Sequence, residues 1–172
     1  MPDWLKLAPE QIVSSARTYL GAPYHPDGRS REGGVDCGGL FVCALNDLGA
    51  DLPAYTGANL NDVFDLTCSR LREFCFELSV PHAAKLVYSP SLSVWALAGT
   101  IEGNSFERVL WPGDAVVFRS RTMFQHIGVM DTAGGMIHAF AGTGSVVRTP
   151  LDPRWVNRIV KIYRYRGAEW PQ

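Results

Sequence analysis

The chain has 172 residues, of which 47% are hydrophobic and 19% charged, with 17 Gly and 11 Pro. That is the size and composition of one turn-rich globular domain, able to bury roughly 70% of its unfolded surface, and it excludes a coiled coil, a collagen-like chain and a disordered tail. With 16 Lys and Arg against 17 Asp and Glu, no positive surplus exists to hold a phosphate backbone or an anionic bilayer, so neither nucleic acid nor membrane is expected as a partner.

Pro9 to Leu20 places Ile12, Val13, Ala16, Tyr19 and Leu20 on one helical face, with proline in the first turn and Gly21 just past the end, which predicts a first helix. The following stretch, Ala22 to Gly34, is broken by prolines and glycines and reads as a shaped loop. Asp36 is a good N-cap for a second helix, whose buried face is Leu40, Phe41, Ala44, Leu45 and Leu48 and whose stop is Gly49. A third helix is expected between about Asn59 and Phe76, with Leu60, Val63, Phe64, Leu71 and Phe74 as its apolar positions. Pro81 to Arg108 carries short apolar runs that periodicity does not assign.

The last third changes period. Ala115 to Arg119, His126 to Met130, Gly135 to Phe140, Val146 to Leu151 and Arg158 to Tyr165 are short β-branched and aromatic runs separated by turn signals. Helices first and strands later predict one α+β domain over 1–172, built on a mostly antiparallel meander, with an insertion-like region at about 51–110. No apolar run approaches the ~20 residues of a membrane helix, and Met1 to Leu20 lacks a signal-peptide pattern. Synthesis in a cytosol is therefore expected, with Cys37, Cys43, Cys68 and Cys75 as reduced thiols.

Cys37 falls in the first turn of the second helix, where unpaired N–H groups and the macrodipole favour a thiolate. Most cysteines are small buried hydrophobes, and Cys43, Cys68 and Cys75 are read that way. Around Cys37, however, Gly33, Gly34, Gly38 and Gly39 strip away bulk as the close approach of another backbone requires. A thiolate nucleophile needs a base and a group to orient that base. If Met130 pairs with Met136 across the turn Asp131 to Gly135, then His126 and His138 are diagonal neighbours on one sheet face, with Gly128 leaving room between them. His25 reads as a solvated loop residue and His82 has no partner. Cys68, Cys75 and His82 recur every seven residues, but zinc ligands come in closer pairs and Pro81 breaks the helix, so no metal is expected.

Five segments in chain order, Ala16-Arg-Thr-Tyr-Leu-Gly-Ala-Pro-Tyr24, Val35-Asp-Cys-Gly-Gly-Leu40, Pro112-Gly-Asp-Ala-Val-Val-Phe118, His126-Ile-Gly-Val-Met130 and Met136-Ile-His-Ala139, resemble the NlpC family of papain-like cell-wall cysteine peptidases. The resemblance implies N-terminal helices packed on a mostly antiparallel five- to six-stranded sheet. It implies Cys37 as nucleophile, His126 as general base and His138 as the orienting third residue, with Tyr24, Asp36 and Gly38 at the substrate or oxyanion. It implies no cofactor, and hydrolysis of amide bonds in peptidoglycan stem peptides, commonly between D-glutamate and a diamino acid. Many members carry serine where this chain has Gly38, and a Trp-Gly-Gly run where it has His25 to Ser30. The Gly28-Arg29-Ser30 loop, Val146 to Leu151 and Trp155 are similar to the bacteriophage tail-associated branch, which implies a virion-tail location, tail hub or baseplate proteins as partners, and action at the host cell wall. A tail hub or plug protein with weak or no catalysis is the rival expectation; a related amidase or acyltransferase is a third.

Overall fold

In a computed structural model the structure describes residues 4–53, 71–80, 85–89, 94–101, 104–119, 126–132 and 134–171. Helix α1 is Pro9–Arg17 and α2 is Cys37–Asn46, separated by the short strands β1 (Arg29–Ser30) and β2 (Gly34–Val35). Strands β3 (Cys75–Ser79), β4 (Lys85–Ser89), β5 (Val94–Ile101), β6 (Asn104–Leu110), β7 (Ala115–Phe118), β8 (His126–Met130), β9 (Gly135–Phe140) and β10 (Ser145–Pro150) follow. The short helix α3 (Pro153–Val156) then leads into β11 (Ile159–Tyr165).

The expected α+β architecture is present. A six-stranded sheet runs in the order β10-β9-β8-β7-β11-β3, every neighbouring pair antiparallel. Four of its strands form the meander read from the sequence; β11 returns to pair with β7. Period-two alternation gives this sheet two buried faces. One face, with Ile127, Val129, Ile137, Ala139 and Tyr163, packs on Ile12, Val13, Ala16, Leu40, Phe41 and Ala44 of the two helices. The other, with Val116, Phe118, Met130, Met136 and Ile162, packs on Leu97, Leu110 and Val156. Fully burying each large side chain here contributes about 1.5–3 kcal/mol.

Three expectations are corrected. Helix α1 stops at Arg17, three residues before Leu20, because the amides of Thr18, Tyr19 and Leu20 reach back only three residues, to Ser15, Ala16 and Arg17, so the chain leaves the α-helical ladder. Leu71 to Phe74 has helical backbone, while residues 54–70, which hold most of the expected third helix, lie outside the described residues. That helix does not reach Phe76, since Cys75–Ser79 pairs with β11 as a sheet edge. Region 51–110 is accordingly not one insertion: β3 completes the central sheet and Leu71 and Cys75 enter the main core, whereas β4-β5-β6 form a separate three-stranded sheet. Cys68 and His82 lie outside the described residues.

Candidate active site

Asp36 opens α2 as its N-cap and is 5% exposed. Its carboxylate accepts from Gly39 N–H at 2.5 Å, Asp27 N–H at 3.0 Å and the Arg29 guanidinium at 2.8 Å. These contacts tie the preceding loop to the helix start and leave Asp36 an anchor for Cys37. Of the four glycines, Gly34 and Gly39 serve the close backbone approach expected of them, and the approaching backbone is the chain's own, whereas a Cβ on Gly33 would meet the Ser30 hydroxyl. A Cβ on Gly39 would lie 2.6 Å from the Gly28 carbonyl oxygen, and one on Gly34, where φ is +97, 2.7 Å from that of Pro23. Tyr24 is held by its amide, which donates to the Gly144 carbonyl at 2.8 Å, and by a bridge to Val35. Burial first, then the charge of Cys37, push its phenol upward, so it stays a neutral donor beside the sulfur.

Cys37 is half-buried in the first turn of α2, followed there by Gly38. The helix-start argument expects its thiol to ionise easily, and here the structure overturns it. Burial, with the Asp36 carboxylate second, pushes the thiol up to about 11, while hydrogen bonding from the backbone at Ile127, Gly38 and Cys37 only partly offsets them. The three backbone groups also locate the sulfur, at the residue that follows His126.

The register Met130↔Met136 is the one expected. His126 Nε2 and His138 Nδ1 are 2.6 Å apart, with ring centroids at 4.8 Å and planes at 75°. Gly128 serves a different purpose from the one read in the sequence. A Cβ there would lie 2.7 Å from the Met136 sulfur, so the glycine admits Met136 instead of spacing the rings. Burial, with His138 second, lowers His126 to about 3, and burial lowers His138 to about 4; both rings are neutral near pH 7. His25 is exposed, its Nδ1 2.7 Å from the Pro26 carbonyl oxygen. Among the described residues, no three His, Cys, Asp or Glu side chains converge as metal ligands do.

Two neighbours of the imidazoles escaped the sequence reading as site residues. His138 Nε2 lies 2.8 Å from Thr149 Oγ1. The β9–β10 register Val147↔His138 makes Thr149 a diagonal neighbour of His138, as His138 is of His126, so counting the hairpin from its turn would have found it. Trp155, on α3, packs edge-on against His138 at 5.4 Å and tilted against His126 at 5.7 Å. Asp152 caps α3 by accepting from the amides of Arg154 and Trp155. With Phe118 and Phe140, Trp155 walls the imidazoles with apolar surface and supplies the desolvation that keeps them neutral.

Residues 21–164 match the family model of NlpC/P60. No curated protein matches the chain. Among solved structures, the NlpC/p60 domain of the peptidoglycan hydrolase SagA is similar at 20% identity and a TM-score of 0.53, over 91% of this chain and 98% of that one. NlpC1 from Trichomonas vaginalis has the same identity and TM-score over 91% of this chain, which spans 44% of NlpC1. An NlpC/P60 family protein from Bacillus cereus gives a TM-score of 0.57 at 20% identity, covering 95% of this chain and 42% of that one. These likenesses are of fold.

Proposed function

Because this chain belongs to the NlpC/P60 family, we propose that it is a cysteine peptidase hydrolysing amide bonds in peptidoglycan stem peptides, with Cys37 as nucleophile, His126 as base and His138 as its orienting partner. The observation that carries this reading is the 2.6 Å contact between two neutral imidazoles on adjacent strands, His138 on β9 and His126 on β8, where the backbone of the next residue, Ile127, holds the Cys37 sulfur. SagA, similar in fold, is by description a peptidoglycan hydrolase.

The resting pair is thiol and imidazole, not thiolate and imidazolium, since the thiol sits at about 11 and His126 at about 3. The proton therefore leaves sulfur as sulfur attacks the amide carbon, and His126 takes it. The developing oxyanion is assigned to backbone N–H groups at the start of α2, among them that of Gly38, which in the resting site bonds the sulfur, with the Tyr24 phenol as a further donor. His126 passes the proton to the leaving amine, the C–N bond breaks, and a thioester on Cys37 remains. Water, deprotonated by His126, then releases the acid and restores the thiol.

The bond between D-glutamate and a diamino acid is the proposed target, and the tail tip of a phage particle, with hub or baseplate partners, the proposed setting. The loop Gly28-Arg29-Ser30, Val146 to Leu151 and Trp155 support that setting. Purified sacculi should release muropeptides with wild type and none with Cys37→Ala; equal release would remove the nucleophile. Mass analysis of the products names the bond. A tagged copy expressed with its neighbouring genes should co-purify with tail hub or baseplate subunits, and its recovery alone would contradict the tail setting.

A further inference from the structure

We propose that Thr149 is a positioning residue of this site, the acceptor that fixes which nitrogen of His138, and through it of His126, carries the proton. The inference rests on the peptidase reading above. It starts from an unbroken line of short contacts, His126 Nε2 to His138 Nδ1 at 2.6 Å and His138 Nε2 to Thr149 Oγ1 at 2.8 Å. A neutral imidazole has one N–H and one bare nitrogen, so this line admits two proton arrangements. In one, His126 donates from Nε2 to His138 Nδ1, and His138 donates from Nε2 to Thr149; the Nδ1 of His126 is then bare and can accept the thiol proton. In the other, Thr149 donates to His138 and His138 donates to His126, whose Nδ1 now carries a hydrogen and cannot act as base.

The two arrangements part when the reaction begins. Once His126 holds the thiol proton it is an imidazolium with hydrogens on both nitrogens, so His138 can only accept from it at Nδ1 and must direct its own hydrogen outward from Nε2. His138 is 0% exposed, and among the described residues Thr149 Oγ1 is the partner at that nitrogen. Thr149 is half-buried on β10, so its own hydroxyl hydrogen can turn to water. A hydroxyl can thus accept inward and donate outward, which a methyl group in its place cannot do. Because the demand is made only while His126 is charged, the loss falls on kcat and spares KM. The rank of the effect is that of leaving one buried donor unsatisfied, about 10- to 100-fold.

The test compares Thr149→Val and Thr149→Ser with wild type on a defined muropeptide. It also reads the histidine tautomers directly, from nitrogen-15 shifts and long-range nitrogen–proton couplings of the full chain. Expected are a kcat lowered about 10- to 100-fold at unchanged KM for the valine variant, recovery of most of that loss for serine, which keeps the hydroxyl, and, in wild type, His138 protonated at Nε2. A valine variant with wild-type kcat, or a resting wild type with the His138 proton on Nδ1, would overturn the proposal. The spectrum needs no substrate and no folded variant. A wild type that cuts no muropeptide would therefore end the peptidase reading while the tautomer still answers for Thr149.

Discussion

Acid should unfold this protein through the two imidazoles of its site. In the fold His126 and His138 sit at about 3 and about 4, with burial the main cause for both, whereas an unfolded histidine titrates near ~6.5. The folded values are depressed, so the unfolded chain takes up protons first as pH falls. The stability carried by the neutral rings is complete above about pH 6.5 and drains away as pH drops through the folded values. At about pH 4.5 the loss works out at about 2.5 kcal/mol for each ring, about 5 kcal/mol together. A domain has only about 5–15 kcal/mol in all. The control is the double variant His126→Gln, His138→Gln, which cannot titrate there. Asp114, raised to about 6 by burial against the pull of Arg164, works in the opposite direction, gaining stability on protonation, but it is common to both proteins and cancels. Urea unfolding followed by circular dichroism, at neutral pH and at about pH 4.5, should show wild type losing about 5 kcal/mol more than the double variant. Equal losses would refute the claim that the rings are held desolvated and neutral.

Alkylation of Cys37 by iodoacetamide, followed by peptide mapping, should climb about tenfold per pH unit across neutrality, because the thiol is pushed up to about 11; a rate already flat at acidic pH would mean a standing thiolate. Trp155→Ala opens the wall over both rings, so their carbon-bound proton resonances should titrate nearer to ~6.5; unchanged titration would take that role from Trp155. Asp36→Ala removes the N-cap of α2, for which the cost is about 1–2 kcal/mol. The thermal midpoint should fall by about 2–8 °C on that ground, with muropeptide release falling as Cys37 loses its anchor, and an unchanged midpoint and rate would contradict the anchoring role.

The sheet was legible because its strands alternate and its turns are marked. Met130↔Met136 followed from Asp131 to Gly135 alone, and it brought His126 and His138 together without any appeal to a family. The second helix was legible because Asp36 is a cap and the glycines beside Cys37 announce close backbone approach. What sequence could not supply was environment. Helix-start arguments weigh the macrodipole, but the thiol responds first to burial and then to Asp36, neither of which shows in local spacing. The same holds for Trp155, which reaches the imidazoles from α3 on the sheet's second face. β3 was misread because Leu71 and Phe74 fit a helical period, whereas pairing with β11 from Cys75 onward is a long-range contact that outweighs local preference.

The central claim is that the Cys37 sulfur and the linked imidazoles act together on an amide. Rapid mixing of a defined muropeptide with wild type, acid quenching and peptide mass mapping reads it most directly. The account expects a thioester on the peptide containing Cys37, formed by wild type and strongly reduced in His126→Ala. Product release with no adduct on Cys37, or the same adduct at the same rate without His126, would contradict it.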